Sequence, residues 1–254
     1  MKVKNFYKYT IGNNNLGFFV PNLNDDLSDE FQLINLSMSK IMKSERISDE
    51  FEVFRFKQVH GADVAIIKDG RITLRGEEKE FSYSLSGEIE GDAFILFDNG
   101  KLVGIRAADC APLMFFSPYA LGGMHCGWRG LKGGIITKTL KTLKNNLRLR
   151  SLNDLSLNDL SFNDFVFFIM PCIHVCCYEV GREFLEWAKD SCYVKGDKVF
   201  FDIPKFINDE LMKLGISEDN IFYSPLCTSC SSPTLPSYRA TKTEERMISF
   251  VWRD

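Results

Sequence analysis

The sequence predicts a single mixed α/β domain. Strand-sized apolar runs such as "FVFFIM" recur along the chain, segments with helical spacing of apolar residues stand between them, and no Pro/Gly/Ser-rich linker divides the 254 residues. A chain of this length buries a substantial core. Its 45% hydrophobic and 26% charged residues are ordinary for a globular protein.

In chain order, "FEVFRFKQVHGADVAIIK", starting at residue 51, reads as two strands rich in Phe, Val and Ile, broken at His60-Gly61. "DAFILF" and "LVGIRA" read as strands around a turn at Asp98-Asn99-Gly100, and the Asn-Gly pair predicts a hairpin. "PLMFF" and "ALGGMH" are the next two strands. After Gly130, the spacing of Ile135, Ile136, Leu140, Leu143 and Leu147 predicts a long helix. A buried strand "FVFFIM", helices over "YEVGREFLEWAKD" and "IPKFINDELMKLG", and a strand "RMISFVWR" complete the pattern. Residues 151–165, "SLNDLSLNDLSFNDF", repeat a five-residue unit three times. That period suits neither helix nor strand, so the segment is expected to be a low-complexity surface insertion in one domain spanning 1–254.

Composition narrows the function classes. A formal net charge of -3 argues against a nucleic-acid binder, which normally carries a basic surplus. No apolar run has the length of a membrane span. The N-terminal lysines are not followed by an apolar signal core, so the cytoplasm is the expected location. In that compartment thiols stay reduced, and the eight cysteines read as buried residues, metal ligands or nucleophiles rather than disulfides.

The chain holds only three histidines. His60 in "KQVHGADV", Cys110 in "RAADCAPL" and His125 in "GGMHCGWRG" each stand where an apolar strand meets a turn. Imidazole and thiolate are zinc ligands, and three protein ligands leave a fourth position for water, the arrangement of catalytic zinc. On spacing alone, a buried thiol and two hydrogen-bonded histidines remain an open alternative, because no recognised local zinc spacing joins these residues. Cys227 and Cys230 form a C-x-x-C that competes as a zinc or redox site, but it lacks a second close pair and a βαβ context. His174 in "PCIHVCC" reads as a turn residue.

The blocks "KQVHGADV", "RAADCAPLMF", "HCGWRG", "PCIHVCCYEVG" and "CTSC…SYR" occur in the order seen in the laccase-domain family, also called the YfiH family, which the chain resembles from about residue 51 onward. The resemblance implies a single YfiH-like domain of mixed β-sheets flanked by helices, with zinc on His60, Cys110 and His125. It further implies a purine nucleoside phosphorylase acting on adenosine, inosine and 5'-methylthioadenosine, with adenosine deaminase activity. Peptidoglycan-precursor editing and copper-dependent polyphenol oxidation are the family's alternative activities, and copper can occupy a site of this kind. The partners implied are a small nucleoside and phosphate, with no nucleic acid or membrane, and a monomer is favoured. The sequence departs from the family pattern in its N-terminal region, which has no arginine before Arg46, at Leu235-Pro236, at Glu245 and in "MPCIH".

Such chemistry needs a group to steer a ligand imidazole or move a proton, and Asp109, beside Cys110, is the candidate, with a turn carboxylate bonded to backbone as its plain alternative. Phosphate calls for arginine, whose planar fork donates two parallel hydrogen bonds. Arg129, in the glycine turn expected to open the long helix, is the first choice, and Arg239 is the second, with Tyr238 as a stacking surface. Trp128 reads as a base-stacking or buried indole.

Overall fold

The computed structural model describes residues 2–3, 6–19, 43–47, 51–151 and 162–254. Two large sheets dominate. The eight-stranded sheet has the order Ile221–Tyr223, Val166–Ile169, Ala111–Phe116, Leu121–Cys126, Ala93–Leu96, Val64–Lys68, Arg71–Leu74, Glu77–Glu80. Two of its pairings are parallel, Ala93–Leu96 with Val64–Lys68 and Val166–Ile169 with Ile221–Tyr223, and the others are antiparallel. The six-stranded sheet runs Lys43–Ile47, Phe6–Ile11, Asn14–Phe19, Met247–Arg253, Val103–Ala107, Phe54–Arg55. A three-stranded sheet joins Glu179–Val180, Lys198–Phe201 and Cys192–Lys195, and Lys2–Val3 pairs with Phe51–Glu52. Helices span Trp128–Lys132, Ile135–Ser151, Ile203–Lys213 and Tyr238–Thr241.

The eight-stranded sheet is the middle layer. Successive side chains on a strand point to opposite faces, and Ala111, Leu113 and Phe115 join the core beneath the helices, whereas Met114 and Phe116 join the core shared with the six-stranded sheet. Ala93 and Ile95 divide from Phe94 and Leu96 in the same way. Coverage on both faces explains why "APLMFF" is buried at every position and reads as a continuous apolar run rather than an alternating one. Gly122 makes room for this packing, since a Cβ there would lie 2.2 Å from the ring of Phe115.

Several sequence expectations change. Asn99-Gly100 does form a turn, with Gly100 at φ +67°, but the strands it joins enter different sheets and do not pair as a hairpin. "YEVGREFLEWAKD" is not an α-helix: Glu179–Val180 is a strand and Arg182–Glu186 a 3₁₀ turn. Phe184 and Trp187, three apart, both pack on Phe201, and a three-residue period aligns such a pair. The helix after His125 is broken, because Gly133-Gly134, with Gly134 at φ +75°, separates the five-residue Trp128–Lys132 from the long Ile135–Ser151. Of the repeat at 151–165, residues 152–161 lie outside the described residues, whereas Phe165 is fully buried in the core rather than on the surface. No helix among the described residues is long and apolar enough to cross a membrane.

Candidate metal centre

The hairpin Ala111–Phe116/Leu121–Cys126 carries two of the expected ligands. Its register pairs Ala111 with Cys126 and Pro112 with His125, so Cys110, just before the first strand, lies across from the end of the second. His60 approaches from the loop ahead of Val64–Lys68 and holds a left-handed φ of +60°. The ligand atoms of His60, Cys110 and His125 all lie within 4.8 Å of one another. The two imidazoles meet edge to face with centroids 4.8 Å apart. Glycines permit this convergence: a Cβ on Gly127 would stand 3.0 Å from Cys110 Sγ and 3.3 Å from His60 Cδ2, and one on Gly130 would stand 2.8 Å from the carbonyl oxygen of Gly61.

Asp92 organises the site. It is fully buried, and its carboxylate accepts the backbone N–H groups of Val59 (3.2 Å), His60 (3.0 Å) and Gly61 (2.7 Å). The same carboxylate bonds His125 Nδ1 at 2.8 Å, which leaves the opposite ring nitrogen of His125 for a ligand. Burial alone would raise the Asp92 pKa, but the His125 bond and the backbone donors hold it below the ordinary carboxylate value.

Cys110 and His125 perturb each other. Burial opposes the Cys110 thiolate, yet the attraction of His125 and hydrogen bonds from both histidines bring the thiol down to about 6. Burial likewise opposes the His125 imidazolium, and the Cys110 charge together with the Asp92 bond raises it to about 9. A thiolate held beside imidazole is the form in which cysteine binds metal.

The centre opens into a cleft of about 540 Å³. Arg55, Lys57, Arg106, Arg239 and Arg246 line it with Tyr178 and Tyr238. Arg106 is half-buried, and its pKa is lowered by burial and then by the repulsion of Arg55 and Arg246. Arg55 Nε is buried without a hydrogen-bond partner. Among the described residues, no carboxylate pairs with Arg55 or Arg106. Glu244 and Asp109 also line the cleft, and Glu244 lies 3.8 Å from Arg246, but the lining keeps a surplus of positive charge, which makes it a bed for an anion.

The remaining expected residues separate. Asp109 lines the cleft with φ +86°, but its carboxylate accepts Thr228 Oγ1 (2.7 Å), Ser237 Oγ (2.7 Å) and the Arg239 N–H (2.6 Å), and steering of the imidazole falls to Asp92. Arg129 is exposed and stacks on Trp128 with its Cζ 4.5 Å from the ring, outside the cleft. Trp128 itself packs against Phe184 at 5.5 Å. Arg239 and Tyr238 do line the cleft, Arg239 lying over Tyr178 at 5.2 Å and donating to the Glu179 carbonyl at 2.8 Å. His174 sits in a turn as expected. Sequence reasoning missed Asp92, Arg55, Arg106, Arg246 and Tyr178. Arg106, four residues before Cys110, carried the one usable signal, a charge inside an apolar strand.

The fold and site together define a mixed α/β protein with a His-Cys-His cluster that could hold a metal ion, opening into an arginine-rich cleft. The chain belongs to the family described as multi-copper polyphenol oxidoreductase laccase, whose model matches residues 10–254, in agreement with the resemblance read from its motifs. It is 39% identical over 166 residues to a purine nucleoside phosphorylase of Aquifex aeolicus, covering 65% of this chain and 72% of that protein. It is 28% identical over 205 residues to purine nucleoside phosphorylase YfiH of Escherichia coli, covering 77% and 72%. It is 25% identical over 195 residues to adenosine deaminase RL5 of an unknown prokaryote, covering 72% and 68%. Among solved structures, Neisseria meningitidis protein NMB0706 superposes with a TM-score of 0.68 at 18% identity over 99% of this chain and all of that one. YlmD of Geobacillus stearothermophilus gives 0.65 at 20% identity, over 96% and 93%.

Proposed function

We propose that this chain is a zinc-dependent purine nucleoside phosphorylase, accepting adenosine, inosine and 5'-methylthioadenosine, that also deaminates adenosine. The observation that carries the reading is the meeting, in one cleft, of the His60, Cys110 and His125 ligand set with Arg55, Arg106 and Arg246. The names of the relatives support it.

Two imidazoles and a thiolate within mutual reach fit zinc, whose preferred ligands are nitrogen and sulfur. When bound, a zinc ion supplies the Lewis acidity that acidifies water near neutral pH, the chemistry deamination needs. The chain's own groups do the rest. Asp92 fixes the ring orientation of His125 and the conformation of the His60 loop. Arg55, Arg106 and Arg246 hold phosphate against the anomeric carbon, where a C–O bond forms as the C–N bond breaks and its electron pair leaves with the purine. Tyr178 and Tyr238 offer flat faces to the base. Asp109 is a positioning residue, tying Thr228, Ser237 and Arg239 to the wall beside Cys110. The family description names copper, and copper would bind such a set tightly, but a coupled multicopper centre needs more imidazoles than the chain's three histidines provide.

Purified protein incubated with adenosine, with and without phosphate, tests this by chromatography. Adenine is expected only with phosphate and inosine in both tubes, and Cys110→Ala is expected to lose both products while keeping its circular dichroism spectrum. Absence of adenine, hypoxanthine and inosine from every wild-type tube overturns the reading. Release of L-serine from a muramyl-serine nucleotide by a protein inert to adenosine would instead establish precursor editing.

A further inference from the structure

Two cysteine pairs far apart in sequence meet on one side of the fold. Cys176 and Cys177 lie in the turn after Pro171, and Cys227 and Cys230 lie in the turn after Ile221–Tyr223. All four sulfurs are within 4.8 Å of one another, with Cys177 to Cys230 at 3.3 Å and Cys176 to Cys230 at 3.5 Å. The C-x-x-C that lacked a close partner in the sequence acquires one through the tertiary structure.

We infer that these four cysteines form a second metal site, a tetrathiolate centre that takes one zinc ion and shares no residue with the His60, Cys110 and His125 set. Zinc binds thiolate at about 2.3 Å in a tetrahedron, which places sulfurs ~3.8 Å apart, and the thiols, at 3.3 Å, 3.5 Å and within 4.8 Å, need only small shifts to reach that spacing. Cys227 is buried and Cys177 partly so, whereas Cys176 and Cys230 are exposed and give an ion a way in. The His174 backbone N–H donates to Cys227 Sγ at 3.4 Å, an outer-shell contact of the kind that supports a metal thiolate.

The scaffold holds both pairs without the ion. Cys172 and Cys227 form a parallel bridge, the Thr228 N–H donates to the Cys172 carbonyl at 3.0 Å, and the Ser231 N–H to the Cys227 carbonyl at 3.0 Å. The Cys177 and Tyr178 N–H groups both donate to the His174 carbonyl at 3.0 Å. The site is therefore structural: with four protein ligands no open position remains for substrate. Its ion fastens the turn carrying Tyr178 to the segment that runs on to Tyr238 and Arg239, so it clips together two parts of the cleft wall.

The test uses the full-length chain purified under reducing conditions, loaded with excess zinc and desalted. Elemental analysis is expected to give two zinc ions per wild-type chain, one in Cys110→Ser and one in the double variant Cys176→Ser/Cys230→Ser. Cobalt added to metal-free Cys110→Ser should show the intense sulfur-to-metal charge transfer of a tetrahedral thiolate centre. Alkylation of the wild-type protein keeps the idea falsifiable should the double variant misfold: Cys176 and Cys230 should resist iodoacetamide with zinc bound and react once it is chelated. No zinc in Cys110→Ser, equal zinc in the wild type and a folded double variant, or equal alkylation with and without zinc would each overturn it. None of these readouts involves turnover, so they stand apart from the proposed reaction.

Discussion

Asp92 Oδ1 bonds His125 Nδ1 at 2.8 Å, and the same carboxylate accepts the His60 backbone N–H at 3.0 Å, so one buried acid orients the His125 ring and holds the backbone that carries His60. Such outer-shell carboxylates typically affect metal affinity by about 10–100-fold. Asp92→Asn is expected to weaken zinc binding by that order in a chelator competition, with a larger loss than Asp109→Asn. Equal affinities for wild type and Asp92→Asn would remove Asp92 from the centre.

The arginine bed separates the two proposed reactions. A hydrogen bond to a charged group contributes roughly 1.5–3 kcal/mol, so Arg106→Ala should raise the KM for phosphate about 10- to 100-fold. Adenosine deamination without phosphate should stay within about twofold of wild type, because water rather than phosphate is its nucleophile. Arg129→Ala, on the outer surface over Trp128, should alter neither reaction. Steady-state kinetics in phosphate titrations decide this, and an unchanged phosphate KM in Arg106→Ala would count against the assignment.

In metal-stripped protein, the Cys110 value of about 6 and the His125 value of about 9 define a window of thiolate–imidazolium pairing. The Cys110 pKa is depressed on folding, so its stabilising contribution is lost as pH falls through about 6. The His125 pKa is raised, so its contribution is lost as pH rises through about 9. Iodoacetamide should therefore label Cys110 readily at neutral pH, with a reactivity midpoint near 6 when followed by mass spectrometry. A midpoint at the ordinary thiol value, about 8.5, would contradict the pairing.

Gly127→Ala tests convergence itself. Its methyl group would stand 3.0 Å from Cys110 Sγ and 3.3 Å from His60 Cδ2, so both side chains would have to give by a few tenths of an ångström. Zinc content should drop, with the fold retained, since Gly127 has an extended φ of -79° that alanine also adopts. Full zinc occupancy in the variant would show that the ligands tolerate wider spacing.

The grouping of His60, Cys110 and His125 was legible because few histidines exist and each residue abuts a glycine-bearing or strand-end turn, a local property. Asp92 was not: in "EGDAFILF" it looks like any strand-leading acid, and its role arises from three backbone donors and an imidazole that only the tertiary structure brings to it. Arg55, Arg106 and Arg246 sit in separate segments, so no spacing rule groups them, whereas Arg129 stands in a conspicuous glycine-rich motif. The strands around Asn99-Gly100 illustrate the same limit from the other side. Asn99-Gly100 bends the chain but makes no hairpin, because which sheet each strand enters depends on partners far away, Leu121–Cys126 for one and Met247–Arg253 for the other. The five-residue repeat is expected on the surface, yet Phe165 at its end is buried where it packs against Phe115 and Phe167.

The crowding of Arg55, Arg106 and Arg246 has a consequence for handling the protein. Mutual repulsion penalises the ligand-free native state, and any oxyanion that settles there relieves it, so inorganic phosphate or sulfate should act as a thermal protectant through binding linkage. Choice of buffer thereby becomes a variable: melting curves in phosphate should sit above those in an amine buffer of equal ionic strength, and the gap should shrink when Arg106 is replaced.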